Sequence, residues 1–208
     1  MRIYLIRHGE TELNVKGCYY GITDAPLTDK GRKQASLLGS YFQDTVWDRV
    51  VVSPLSRTME TALLAAGHCK NLFEKEERLK EQDFGIFEGK TYRELCEVYP
   101  EEMRRWNEDF SHYQIPGGES FLQVRKRVDE WVHSLPEEKG LMLVVAHKGT
   151  LGHILASMLG LPLEGYWNFV FDQGCYSLVD LEDGYAILRK LNQSVLPAEG
   201  RPDHSLLI

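Results

Sequence analysis

Three short runs in this 208-residue chain carry side chains able to hold an anion. The first is Leu5-Ile6-Arg7-His8-Gly9-Glu10-Thr11, where a guanidinium adjoins an imidazole. The second is Ser53-Pro54-Leu55-Ser56-Arg57-Thr58, and the third is Val144-Val145-Ala146-His147-Lys148-Gly149. Arginine offers a planar fork of donors that matches paired phosphate oxygens. Each residue alone has a plainer reading: a lone His at a strand end is usually structural, and an Arg on a helix usually faces solvent. The coincidence carries the weight, because each run directly follows an apolar, strand-like segment.

The elements that must position these runs alternate between strand-like and helix-like. Residues 2–6 read as a buried strand, and Thr28 is a helix N-cap. Residues 49–52 form the next strand. Ser53-Pro54 then reads as an N-cap with proline at the first helical position, so a helix is expected at once and through Ala66. Residues 72–74 suit a short strand. Residues 92–135 are mostly helical with a break near Pro116-Gly117-Gly118, after which Ser120 and Gln123 fit a capping box. Residues 141–146 are the clearest buried strand, followed by a helix over 149–159. Asp183-Gly184 between residues 176–181 and 185–191 is a hairpin signal. The pattern predicts an α/β protein with a mostly parallel, mixed sheet, an antiparallel strand near its edge and a carboxyl-terminal hairpin. Such sheets bind ligands beyond the carboxyl ends of their strands, and right-handed crossovers bring those ends to one edge. Two Arg and two His then converge on a site suited to a phosphate dianion.

Size and composition bound the rest. At 43% hydrophobic residues, the chain suits one domain over 1–192, with a polar tail containing Pro and Gly over 193–208. The 4 cysteines include no C-x-x-C pair and no zinc or disulfide spacing. Reduced thiols in a cytoplasmic location are expected, since the opening run is too short for a signal peptide and no stretch could span a bilayer. A net charge of −7 argues against nucleic acid or an anionic membrane as partner.

The runs, taken in order, resemble the histidine phosphatase superfamily, also called phosphoglycerate mutase-like. Besides Arg7-His8-Gly9-Glu10-Thr11 with Asn14, they include Pro26-Leu27-Thr28-Asp29-Lys30-Gly31, Ser53 to Thr58, Leu79-Lys80-Glu81 with Phe84-Gly85, Pro116-Gly117-Gly118-Glu119-Ser120 and Val145-Ala146-His147. The resemblance implies a three-layer α/β/α sandwich and a metal-independent, cofactor-free phosphomonoesterase acting on a small molecule. It implies His8 as nucleophile, Arg7, Arg57 and His147 as its phosphate pocket, Asn14 and the Gly21 loop completing that pocket, and Glu81 as general acid. Neighbouring guanidiniums disfavour imidazolium and so keep His8 nucleophilic. Glu81 lies in a charged run where several carboxylates compete, with Asp83 the nearest alternative. His153, six residues past His147, lacks the four-residue offset of a metal pair and reads as structural. No oligomeric state is implied.

Mutases of the family carry an added segment after the acid that retains a bisphosphorylated intermediate, whereas only a modest helical stretch follows Glu81, so hydrolysis is expected over the mutase reaction. Phe171-Asp172-Gln173-Gly174-Cys175-Tyr176-Ser177 and Leu188-Arg189-Lys190-Leu191-Asn192 are similar to the branch that serves cobalamin nucleotide-loop assembly, which implies α-ribazole 5′-phosphate as substrate. Trp106, Phe110, Tyr113 and Phe121 can stack on its benzimidazole base or simply pack helices. The rival readings are a phosphoglycerate mutase, a broad-specificity sugar or nucleotide phosphatase, and a non-catalytic phospholigand-binding module. Against the last stands the intact set Arg7, His8, Arg57, Glu81 and His147.

Overall fold

The computed structural model describes residues 1–136 and 139–195. Its elements, in chain order, are β1 (Arg2–Arg7), α1 (Glu12–Lys16), β2 (Cys18–Tyr19), α2 (Asp29–Phe42), β3 (Arg49–Val52), α3 (Ser56–Ala66), β4 (Phe73–Lys75), β5 (Lys90–Thr91), α4 (Tyr92–Val98), α5 (Pro100–Glu108), α6 (Phe121–His133), β6 (Leu141–Ala146), α7 (Lys148–Met158), β7 (Cys175–Glu182) and β8 (Tyr185–Ser194). Six strands form one sheet in the order β4-β3-β6-β1-β7-β8, while β2 and β5 make a separate two-stranded ribbon. β4, β3, β6 and β1 run parallel, and β7 lies antiparallel to both β1 and β8.

The central strands are apolar throughout because both sheet faces are covered. Leu5 and Val144 face α6 and α7, joining Val128, Leu151 and Leu155 in one core. Ile6, Val50, Val52 and Val145 face α2 and α3, joining Leu38, Phe42, Ala62 and Ala65 in a second. These layers are the expected three-layer sandwich with its mixed sheet. A smaller cluster of Phe87, Leu95, Met103, Trp106 and Ile115 holds α4 and α5 as a cap. Asp183 and Gly184 take φ of 50° and 78°, which a two-residue hairpin turn of this kind requires.

Local departures from the sequence reading have identifiable causes. Ser53 does not cap a helix: α3 begins at Ser56, after Leu55, and its first N–H is taken by the Asp24 carboxylate at 3.1 Å. Ser53 Oγ is instead engaged by His147, at 2.7 Å. The helical stretch after residue 92 breaks first at Tyr99, because Pro100 starts α5. α1 was not foreseen, although Thr11 and Asn14 cap it reciprocally. The β2–β5 ribbon was likewise missed, being two residues long on each side. β8 continues through Ser194, two residues past the boundary expected at 192, and residues 196–208 of the tail lie outside the described ones. Among the described residues, no helix is long and apolar enough to cross a membrane.

Candidate active site

β1 and β6 pair in register, with Arg7 opposite Ala146, so His8 and His147 are the first residues beyond two adjacent strands. The His8 N–H donates to Ala146 O at 3.0 Å, and the two imidazole centroids lie 5.2 Å apart. Ser53, just past β3, donates its N–H to Val145 O at 3.0 Å, so the second run starts at the same edge. Sheet register, and nothing about the helices, sets this convergence.

His8 Nδ1 lies 2.7 Å from Gly9 O. A carbonyl can only accept, so Nδ1 carries the proton and Nε2 keeps its lone pair. The ring is 3% exposed and lines the cavity described below. Burial, then Arg57 and Arg7, hold its pKa well below 6.5, so the neutral form is the resident one. Gly9 can carry no side chain, because a Cβ there would lie 2.4 Å from Gly31 O in the first turn of α2.

Arg57 is fully buried. Its Nη2 donates to Gly21 O at 2.6 Å, its Nη1 to Thr23 O at 2.9 Å and its Nε to His147 Nδ1 at 3.3 Å. The Tyr20 ring lies 4.7 Å from the guanidinium carbon. Arg7 Nη1 donates to Phe171 O at 3.1 Å, and its Nε is buried without a partner. Asn14 lines the cavity with its Oδ1 accepting from Gln173 Nε2 at 2.9 Å, which leaves its NH₂ for a ligand.

His147 and Gly21 stand one layer further back than expected. His147 is fully buried; its Nδ1 accepts from Arg57, so its Nε2–H donates to Ser53 Oγ. Burial, followed by Arg57 and His8, holds this ring neutral as well. Gly21 gives its carbonyl to Arg57 and its N–H to Glu88 Oε1 at 2.7 Å. Both residues therefore fix Arg57 and do not themselves line the cavity.

Glu81 is seated on the first turn of α7. Its Oε2 accepts from Gly149 N at 2.9 Å and its Oε1 from Thr150 N at 3.2 Å, the groups a helix N-terminus leaves unpaired. Arg127 clamps the chain beneath it, donating to Lys80 O at 2.7 Å and Glu81 O at 3.1 Å while its Nε meets Glu119 Oε1 at 2.9 Å. Asp83 accepts from Gly85 N at 2.9 Å and does not line the cavity.

These groups open on one cavity of about 390 Å³. Arg7, His8, Asn14, Arg57 and Glu81 line it along with Trp106, Phe110, Phe121, His153, Tyr166 and Trp167. Of the four aromatics singled out from sequence, Tyr113 does not line it; its hydroxyl donates to Glu102. Tyr166 and Trp167 were missed because they sit on a 3-10 segment, Leu163–Asn168, without periodicity. His153 was missed by counting from His147, when the relevant offset is four residues from Gly149, on the same face of α7.

A ring nitrogen, two guanidiniums and a carboxyl group converge on one cavity of a phosphoglycerate mutase-like fold, a donor set that suits a phosphate ester. The chain belongs to the histidine phosphatase superfamily (branch 1), whose model matches residues 3–194, and is a phosphatase. It is 35% identical over 201 residues to an adenosylcobalamin/α-ribazole phosphatase of Escherichia coli, covering 96% of this chain and 99% of that one. Phosphoserine phosphatase 1 of Hydrogenobacter thermophilus is 35% identical over 195 residues, covering 92% of each. The crystal structure of the α-ribazole phosphatase from Shigella flexneri superimposes with a TM-score of 0.89 at 36% identity, covering 93% of this chain and 96% of that one.

The buried histidines make stability depend on pH. His8, His147 and His153 all have folded pKa values below the ordinary 6.5, that of His153 at about 3, so the unfolded chain binds more protons as pH falls. Unfolding free energy should therefore drop below pH 6.5, by about 1.4 kcal/mol per pH unit for each ring. Urea denaturation at pH 7.5 and 5.5 measures this, and ¹⁵N spectra should still show neutral His8 with Nδ1–H at pH 5.5. An imidazolium signal from His8 at that pH would contradict the assignment.

Proposed function

We propose that this phosphatase works through a phosphohistidine on His8 and that its substrate is α-ribazole 5′-phosphate, released as α-ribazole in assembly of the cobalamin nucleotide loop. The observation that carries the mechanism is the free lone pair of His8 Nε2, flanked by two guanidiniums that no carboxylate neutralises. Nε2 attacks phosphorus as the ester P–O bond breaks, and Arg7, Arg57 and Asn14 hold the equatorial oxygens. The Glu81 carboxyl gives its proton to the leaving alkoxide. Water then attacks phosphorus, returns a proton to Glu81 and breaks the P–N bond, releasing inorganic phosphate and neutral His8.

The substrate reading is supported by the aromatic end of the cavity, which suits a flat base. It is supported too by the two carboxyl-terminal runs, which brace the phosphate end. Phe171 O receives Arg7, Gln173 holds Asn14, and Asp172 and Asn192 exchange hydrogen bonds at 2.7 Å. One observation favours a second reading. Lys148 lines the cavity with no ion pair among the described residues, and such a cation would suit the carboxylate of a substrate such as phosphoserine.

Rapid quench with ³²P-labelled substrate should trap acid-labile, base-stable label on the wild type and none on His8→Ala. Undiminished turnover by that variant would end the covalent route and favour direct attack by water, while no turnover by either protein would favour a binding module. Glu81→Gln should slow alkyl phosphates by about 10²–10⁴-fold but p-nitrophenyl phosphate far less, since a good leaving group needs little protonation. Equal losses would move the acid elsewhere, Asp83 being next. Across a panel, kcat/KM should be highest for α-ribazole 5′-phosphate, above adenosine monophosphate, ribose 5-phosphate, 3-phosphoglycerate and phosphoserine. Equal rates would indicate a broad-specificity phosphatase, and a phosphoserine maximum the second reading.

A further inference from the structure

We propose that His153 reads the leaving group: its Nε2–H donates a hydrogen bond to an acceptor nitrogen on the edge of a flat heteroaromatic base, making it a specificity-determining residue of this cavity. The inference deepens the reading of the cavity as a phosphoester site, and it starts from α7. The first turn of that helix seats Glu81 through Gly149 and Thr150, and His153 lies four residues beyond Gly149, one turn further along the same face. Gly149 and His153 both line the cavity. In-line displacement puts the leaving oxygen at Glu81, on the far side of phosphorus from His8. The rest of the alcohol then extends along α7 toward His153.

The surroundings of His153 are built and not incidental. Phe121 and Tyr166 pack on its ring with centroids 4.4 and 4.8 Å away. Tyr166 reaches that position only because residue 152 is glycine: a Cβ there would lie 2.7 Å from the tyrosine ring. In this cage the histidine is 1% exposed, and its Nδ1 is sealed with no hydrogen-bond partner. Nε2 has no partner among the described residues either, but it is not sealed, and the residue borders the cavity. A phenylalanine or leucine would fill such a cage at no cost in unpaired polar atoms, so an imidazole placed there calls for a partner from outside the protein.

The charge state selects what that partner is. Burial, with Arg125 and Arg127 nearby, keeps the ring neutral, its pKa at about 3. His153 is thus no second anion site and does not compete for the phosphate. With the proton on Nε2, the N–H faces the cavity, where a ligand can meet it, instead of being sealed at Nδ1. The matching chemistry is an azole-type base with one unsubstituted ring nitrogen, presented edge-on between aromatic walls.

The test compares two ligand pairs: α-ribazole and α-ribazole 5′-phosphate against their indole counterparts, in which C–H replaces the acceptor nitrogen. Nucleoside binding is followed by fluorescence of Trp106 and Trp167, which line the cavity, and the esters are compared by kcat/KM. The wild type should favour the benzimidazole member of each pair by about five- to tenfold, the range of one neutral hydrogen bond. His153→Phe keeps the ring cage and should bring both ratios close to one, while His153→Gln, which retains a donor, should keep a preference. Thermal melting checks that the variants fold, and His153→Leu substitutes if the Phe variant does not. A wild type that binds both nucleosides alike, binds neither, or keeps its preference in His153→Phe overturns the proposal. Loss of phosphohistidine trapping or of α-ribazole 5′-phosphate turnover in the wild type would instead strike the functional reading, which the nucleoside measurement does not depend on.

Discussion

Two guanidinium groups, that of Arg57 fully buried and that of Arg7 half-buried, lie at one edge of the sheet with no carboxylate of the described residues within ion-pair distance, and the rest of the site is arranged around that fact. Among the described residues, neither Arg7 nor Arg57 joins a salt bridge, although the chain carries 31 Asp and Glu against 24 Lys and Arg. A charge so placed must be solvated by something. Here the solvating groups are dipoles: the carbonyls of Gly21, Thr23 and Phe171, and the imidazole of His147. Carbonyls stabilise a cation without cancelling it, so positive potential remains available to an incoming dianion. The same potential adds to burial, the larger cause, in keeping both imidazoles unprotonated. A carboxylate in place of those carbonyls would have neutralised the pocket.

Holding carbonyls toward Arg57 requires that residues 20–24 be fixed from their other side, and Glu88 does this. Its carboxylate collects the N–H groups of Gly21, Ile22, Thr23 and Phe84, at 2.7 to 3.2 Å. The loop thus hangs between an anion that takes its N–H groups and a cation that takes its carbonyls. Because Phe84 lies three residues past Glu81, the same carboxylate ties the Arg57 side of the site to the Glu81 side. Arg127 and Glu119 complete the frame from beneath.

Much of this was legible in the sequence, and what was not has physical causes. Strand ends are marked by the switch from an apolar run to polar residues, so Arg7, His8 and His147 could be located, and parallel register then brings them together. Arg57 was found as a residue but not as a wholly buried one, since nothing in a helix sequence says that its side chain will turn toward a loop over 30 positions away. Ser53 misled because a serine before proline has two uses, and only the fold shows that His147 takes the hydroxyl. Glu88 was passed over because its partners are backbone groups, which leave no trace in side-chain spacing. The aromatic end of the cavity was half seen: Trp106, Phe110 and Phe121 lie on or beside helices, whereas Tyr166 and Trp167 belong to an aperiodic segment.

The place of β1 in the sheet has a consequence for how the molecule comes into being. The strand that delivers His8 precedes every other described strand, yet its hydrogen-bonding neighbours are β6 and β7, which begin at Leu141 and Cys175. A nascent chain therefore carries Arg7 and His8 long before either edge of β1 can be paired, and Arg7 meets Phe171 only after the chain has grown by 164 residues. Such non-local closure makes folding slow and late relative to local helix formation. A chain ending before Phe171 would leave one edge of β1 unpaired and Arg7 without its carbonyl partner.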